Sequence, residues 1–475
     1  MPLGLFGALS MANRSLQTQR QGTEIAGHNL ANVNTPGYSR QRVSIVTGTH
    51  IMTEIGHQGT GADVVSIRQI RDALLDRQIT GEASVRGAHE SKQRALQFMQ
   101  AALGQVIDRQ SSGAEAAAAA SGGGQNGIGD KLSDLFNAFQ SVSVSPTSTS
   151  ERQVLLIKAQ SVATQFNQVS QRLTDLGSSL NDSLALDVEQ ANVTLADIAK
   201  LNEQIINAEI GGSTANDLRD IRQQRIEDLA KITKIQAVEQ SNGGVDVSVD
   251  GVTLVSGPNA LHQLETFDAG GGQILVRTLT GAVPLNVAGG SMQGTIEARD
   301  MDLQFLRDDL STLASNLISQ VNAIHSTGYG LNGTTGESFF TGSTAADIGI
   351  NSALVNDPSR IQASGQSGAV GNNSVVLQLA QLADANVAAL GDQSFTNNYG
   401  GAVARLGQSL SGINTQLSNQ QIVEQMLTRQ RDSVSGVSLD EEMTDLIKYQ
   451  RAFEASARLI TTIDELLQTV VNLKR

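Results

Sequence analysis

The two ends of this chain are built as partners: each carries small or apolar residues at heptad spacing, and the two segments carry opposite net charge. Near the N-terminus, Leu5, Leu9, Ala12, Leu16, Ala26, Leu30 and Val33 follow a three-four spacing broken only by Gln19 and Thr23. That is the pattern of a coiled-coil seam. Toward the C-terminus, Leu439, Leu446, Phe453, Ile460 and Leu467 recur every seventh residue, and Met443, Ala457 and Val471 fill most of the alternate seam. Asp464 at a seam position argues against a simple dimer zipper, because a buried unpaired carboxylate is costly. Residues 1–42 hold Arg14, Arg20, Arg40 and Arg42 against Glu24, a balance of +3, whereas residues 432–475 hold eight acidic and five basic side chains, a balance of −3. Termini that meet require the chain between them to leave and return, so a nested organisation is expected.

With 475 residues the chain exceeds one compact core, and two to four structural units are expected. A formal charge of −14 argues against a nucleic-acid backbone or an anionic membrane as the main partner. Cysteine is absent, which removes disulfides, thiolate nucleophiles and cysteine-based metal sites. Aromatics are 3% of residues and tryptophan is missing, as in long helices with aliphatic cores. No stretch approaches the roughly 20 apolar residues of a membrane span. Leu3 to Ala12 is apolar, but no positive residue precedes it and the seam runs on through Leu16, so no cleaved secretory signal is expected.

The first helix ends at Asn-Val-Asn-Thr-Pro-Gly-Tyr, residues 32–38, where Pro36 presets a turn and Gly37 can take positive φ. Asn29, Asn32 and Asn34 form an amide ladder suited to satisfying helix-end or neighbouring-subunit backbone groups. A short strand over 39–46 and extended chain to Val65 follow, then a helix over about 67–106 and an Ala/Gly-rich insert over 110–129 that reads as a loop. Val162, Phe166, Val169, Leu173, Leu176, Leu180, Leu184, Val188, Ala191, Leu195 and Ile198 sustain heptads, with a stutter between Leu180 and Val188. Gly211 and Gly212 close this helix, Asn216 or Asp217 caps an antiparallel partner, and a hairpin at Asp250-Gly251 opens strand-like segments reaching about Ala298. Leu303 to Ile324 restores helical spacing, a Gly/Thr/Ser-rich stretch runs to about Asn373, and a helix over about 402–430 feeds the terminal seam. The fold class expected is mainly α with a small β insertion: paired terminal coiled-coil helices plus a long helical bundle. Three discontinuous nested domains are expected: 1–60 with 431–475 as a terminal coiled-coil core, 61–235 with 298–430 as a helical shaft containing loop-rich 328–373, and 236–297 as a β-rich insertion.

Chemical motifs fail on context. Gly328, Gly330 and Gly333 spell G-x-G-x-x-G but follow a helix instead of a strand. His89-Glu90 lacks the second histidine of a zinc-protease helix, since Gln93 stands there. His50, Glu54 and His57 have no third strong ligand nearby beyond one carboxylate in a glycine-rich segment. Acids at Asp440, Glu441, Glu442 and Asp445 suit the first turns of a helix. No catalytic, cofactor-binding or metal-ligating residue is assigned.

Gly27 to Tyr38 resembles the N-terminal motif shared by bacterial flagellar rod, hook and hook-associated proteins, and Ser433 to Glu442 with Tyr449-Gln450 resembles their C-terminal motif. The continuation Tyr38-Ser-Arg-Gln-Arg42 is more particular and resembles the FlgK family of hook-associated proteins. Residues 216–225, 290–299 and 333–340 are similar in kind, so the resemblance covers most of the chain. Two departures stand out: the outer insertion some members carry after Phe339-Phe340 is absent, and the insert at 110–129 is peculiar to this chain.

The resemblance implies a structural protein of the flagellum at the hook-filament junction, not an enzyme, needed for filament assembly and motility. It implies subunits that assemble into a ring, contact hook protein and the next junction protein, pass unfolded through the flagellar type III export apparatus, and meet a cytoplasmic chaperone at the C-terminal helix. No nucleic acid, membrane or cofactor is expected. The assembly residues it marks are Leu9, Leu16, Asn29, Leu30, Asn32, Asn34, Pro36, Gly37, Tyr38, Arg40 and Gln41, with Leu439, Met443, Leu446, Phe453, Ile460 and Leu467. The last six would also face the chaperone. Two alternatives stay open, another axial subunit of hook or rod and a secreted enzyme on a helical stalk.

Overall fold

The computed structural model describes residues 4–53, 56–104 and 127–472. From α1 (Leu5–Ala31) the chain forms two antiparallel ribbons, β1 (Gln41–Thr47) with β4 (Ala62–Gln69) and β2 (His50–Thr53) with β3 (Gly56–Gly59). Then come α2 (Ala73–Leu103), α3 (Ile128–Val144), α4 (Thr149–Glu209) and α5 (Asn216–Ile232). A four-stranded antiparallel sheet follows in chain order, β5 (Gln236–Glu239), β6 (Val245–Val249), β7 (Val252–Ser256) and β8 (Asn259–Ala260), beside the hairpin β9 (Leu264–Asp268) and β10 (Ile274–Thr278). Next are α6 (Gly290–Glu297), a π-helical stretch at Ala298–Leu303, α7 (Gln304–His325), α8 (Ser352–Asn356), α9 (Ser374–Gln381), α10 (Phe395–Ser435) and α11 (Leu439–Asn472). The fold is mainly α with small β additions.

The heptads of α4 are filled from within the chain: every apolar position named from Val162 to Ile198 is buried. Ser148 starts the helix by accepting the Glu151 backbone N–H. The stutter has a structural meaning. Leu155 to Leu180 belong to one apolar core, shared with α2, α3, α7, α9 and α10, whereas Leu184 to Ile205 lie against α5 and the β unit, with Leu184, Val188, Ala191, Leu195 and Ile198 in a second core. Two four-residue steps in succession rotate the apolar stripe, and the core changes there.

Glycines set the closest helix contacts. A Cβ on Gly87 of α2 would lie 2.0 Å from the Lys231 carbonyl oxygen, and one on Gly294 of α6 would lie 2.2 Å from that of Ala88. The backbones therefore touch without intervening side chains. Asp250 and Gly251 both have positive φ, as a tight two-residue hairpin turn demands.

Several boundaries differ from expectation. Residues 67–69 belong to β4, and α2 starts only after Asp72, whose carboxylate accepts the Leu74 and Leu75 N–H groups. Residues 290–297 are helix, not strand: Gly289 and Gly290 take positive φ so that the chain can pass against the Ile232 backbone, and those glycines mask the helical period. Ala215 occupies the N-cap position of α5, while the Asn216 amide is drawn away to the Ile67 carbonyl and Gln41. Most of the Ala/Gly-rich insert, 110–126, lies outside the described residues, as does Glu54 between His50 and His57. Gly328 and Gly330 lie in the loop after α7, against backbone of Gln362 and Ser359.

Candidate functional site at the junction of the terminal helices

Helices α1 and α11 lie antiparallel in strict heptad register. Ser15 Oγ meets Ser456 Oγ at 3.0 Å, Gly22 faces the Tyr449 ring, and Asn29 Nδ2 donates to Glu442 Oε2 at 3.0 Å. Each step moves seven residues forward on one helix and seven back on the other. The contact line is made by small and polar groups, with Ala12 and Ala26 buried beside it. Leu9, Leu16 and Leu30 are only half-buried, as are Leu446, Phe453, Ile460 and Leu467.

Leu439 and Met443 are a correction to the expected seam, being 52% and 48% exposed. The centre of the α11 interface runs instead through Glu442, Tyr449, Ser456 and Ile463. Apolar spacing located the widest stripe on the helix, but a glycine opposite a tyrosine lets the backbones approach on an adjacent face. Asp464 is exposed, so its charge costs nothing there.

At one end of the pair, Asn29 uses all of its hydrogen-bonding capacity. Its Nδ2 donates to the Gln41 carbonyl at 2.9 Å as well as to Glu442, and its Oδ1 accepts the Gln41 N–H at 3.0 Å and the Tyr38 hydroxyl at 2.8 Å. One buried amide thereby joins α1, the turn, β1 and α11. Tyr38 also meets His28 Nδ1 at 3.0 Å. Burial pushes the Tyr38 phenol well above its ordinary pKa, and the charges of Asp217, Asp220 and Glu442 push the same way, so it stays a donor.

Arg40 is the second node. Its backbone N–H donates to the Ser435 carbonyl at the end of α10 at 2.8 Å. Its guanidinium pairs with Glu441 at 2.5 Å and Glu442 at 2.6 Å in the first turn of α11, with Asp445 at 3.8 Å. Burial lowers the guanidinium's pKa, but Glu442 and Glu441 outweigh it and leave the group above its ordinary value. The acids that suited a helix dipole thus also clamp the break between α10 and α11.

Gln41 carries the junction to the shaft, donating to Asp217 at 2.7 Å and accepting from Asn216. Asp220 accepts the Ser39 N–H at 2.9 Å and pairs with Arg71 at 3.0 Å; burial raises its carboxyl pKa against those partners. Gly37 has φ +75° and abuts the Gln224 side chain, which donates to the Pro36 carbonyl. Asn32 donates to the His28 carbonyl, closing α1, whereas Asn34 is exposed. A groove of about 370 Å³ separates this turn from residues 431–437.

Asp217, Asp220, Arg71, Glu442 and Tyr449 are junction residues that the sequence reading did not assign to the site. The surplus of arginine in one end segment and of acid in the other was a signal for the Arg40 clamp; nothing local marked the aspartates of α5.

Three family models match: the flagellar hook-associated protein FlgK helical domain over 118–340, the flagellar basal body rod protein family over 9–38, and the flagellar basal body rod FlgEFG protein C-terminal family over 429–473. The two terminal matches cover most of one and all of the other of the helices that pair here. Flagellar hook-associated protein 1 of Bacillus subtilis is 28% identical over 98% of both chains, and that of Salmonella typhimurium 23% identical over 98% of this chain and 99% of its own. The chain belongs to the FlgK family of flagellar hook-associated proteins. Its fold is shared with the solved flagellar hook junction protein FlgK from Burkholderia pseudomallei, at a TM-score of 0.61 and 15% identity, covering 75% of this chain and all of that one. Members of this family are structural components of the bacterial flagellum.

Proposed function

We propose that this chain is the junction subunit that joins hook to filament, acting mechanically and not as an enzyme. The observation that carries this reading is the terminal junction. Both ends are locked to each other and to the shaft through Asn29, Arg40 and Gln41, while α11 still exposes Leu439, Met443, Ile447, Leu459, Leu466 and Val470. An apolar surface of that kind beside a fixed frame suits burial between subunits.

On this reading the chain is organised as a terminal core, 1–60 with 431–475; a helical shaft, 61–235 with 298–430; and a β-rich insertion, 236–297. Copies assemble with one another into a ring between hook protein and the next junction protein. Before assembly the subunit passes through the flagellar type III export apparatus with a cytoplasmic chaperone on its C-terminal helix, and it ends outside the cell. The motif residues Asn34, Pro36 and Gly37 sit at the rim of the groove, where a neighbour can reach them.

Gene disruption tests the role. Cells lacking the protein are expected to build hooks, lack filaments and shed flagellin monomers into the medium. Normal filaments on such cells would overturn it.

A further inference from the structure

The β1–β4 ribbon carries an unsolved electrostatic problem on its outer face. Arg42 and Arg68 are directly opposed across the two strands, so their side chains leave the ribbon on the same face, and both are exposed. Like charges in that position repel. Arg14, Arg20, Arg40 and Arg71 of the same region each pair with a carboxylate. Among the described residues Arg42 and Arg68 have no such partner, and Arg68 Nε donates only to the Ser66 hydroxyl at 3.1 Å. Exposed Ile45, Val46 and Val65 lie on the same two strands.

The complementary surface is on the distal half of α11. Asp464 and Glu465 are exposed and adjacent, and among the described residues neither has an ion-pair partner. Leu459, Leu466 and Val470 are exposed around them. Within one chain the two surfaces are out of reach. Arg42 lines the same small void as Tyr449, and Asp464 lies 15 residues farther along α11, about 22 Å at the helical rise. We propose that the outer face of the ribbon receives the distal acidic stretch of α11 from a second copy of this chain, Arg42 and Arg68 pairing with that copy's Asp464 and Glu465.

The contact is heterologous: ribbon and distal helix are different surfaces, so each copy offers one of each and the arrangement repeats from copy to copy, with an offset along α11 of about 22 Å. Two guanidinium groups on one face can each take a carboxylate in bidentate geometry, which relieves the cross-strand repulsion only when the neighbour arrives. The inference rests on the proposed junction role and specifies one contact within it.

The chain contains no cysteine, which makes the test direct. Arg68→Cys and Asp464→Cys are placed together in the full-length protein, and intact flagella are oxidised. A ladder of disulfide-linked multimers is expected from the junction, with no internal cross-link in the free monomer. A variant that enters the junction yet runs only as monomer, or that cross-links internally, overturns the contact. Charge exchange gives a second readout should the cysteines prevent incorporation. Arg42→Glu with Arg68→Glu is expected to reduce incorporation about tenfold or more, and adding Asp464→Arg with Glu465→Arg to restore it. Wild-type incorporation of the ribbon variant, or no restoration by the second pair, would overturn the contact. Absence of the unaltered protein from flagella would instead remove the junction role itself.

Discussion

Helix α4 and the α1–α11 pair share a heptad period and differ in what the period is for. Along α4, Phe166, Val169 and Leu173 are completely buried by neighbours in the same chain. Along the terminal pair the leucines are half-buried or exposed, and the centre of contact is Ser15, Gly22 and Asn29 against Ser456, Tyr449 and Glu442. In the shaft the stripe is consumed by folding. At the termini it is held in register by small and polar groups and much of its apolar surface is left over, which is what a subunit needs if its last burial is to come from other copies.

The largest expected effect separates the two regions. Phe166→Ala should destabilise the isolated protein by about 3–5 kcal/mol in thermal or denaturant unfolding, the range for emptying a buried phenylalanine site. Phe453→Asp, on a half-buried face of α11, should change monomer unfolding by less than about 1 kcal/mol while abolishing incorporation at the hook tip and weakening chaperone binding. Hydrogen exchange on the monomer should be slowest in α4 and faster in the half-buried α1 and α11. Equal protection of all three would break the comparison.

A somewhat smaller effect should appear with pH, and in the shaft region. His325 is fully buried at the end of α7, with Nδ1–H donating to the Glu337 carbonyl at 2.8 Å and Nε2 accepting the Gln362 N–H at 3.0 Å. The second contact requires the neutral ring, because a proton on Nε2 would remove the acceptor. Burial pulls its pKa down to about 4 from an ordinary 6.5. Between those values the unfolded chain binds the extra proton, so this contribution is fully present above about pH 6.5 and is lost as pH falls toward 4, amounting to about 3 kcal/mol. Denaturant midpoints measured between pH 7 and 4 should fall for the native protein and fall less for His325→Gln; identical pH profiles would exclude this origin.

The smallest contrast concerns two glycines. Gly87→Ala thrusts a methyl at the Lys231 backbone and should cost about 1–3 kcal/mol of monomer stability. Gly22→Ala meets the Tyr449 ring at 2.6 Å, but the obstacle there is a side chain and not backbone, and alanine is the better helix former. A net loss of about 1 kcal/mol or less is expected in monomer unfolding. A larger loss there than for Gly87→Ala would mean that the terminal pair is as firmly closed as the shaft.

The course of α4, including the stutter between Leu180 and Val188, was legible because burial of large aliphatic groups imposes a period that few other arrangements mimic; that the helix passes from one core to another there was not. Asn29, Arg40 and Gln41 were legible as residue types in a motif, but their partners were not. Asn29 and Glu442 are 413 positions apart, and no local spacing encodes such a pairing. The phase of α11 was misjudged for a related reason: Ser456 and Tyr449 look like surface residues until Ser15 and Gly22 are placed opposite them. The helix at 290–297 was hidden because its glycines, required by close backbone approach, erase the apolar pattern that announces a helix.

Helix α4 runs its 61 residues through both cores without a break, a length of about 90 Å. Torque applied at the β unit therefore arrives at the other core as rotation of one rod, since no joint exists along it for the two cores to turn separately. The helical path is interrupted instead at residues 436–438, where α10 stops and α11 has not begun, and there Arg40 ties the two sides together. On the proposed junction role, a stiff arm clamped beside the terminal pair would pass load from one end of the subunit to the other while the shaft keeps its own shape.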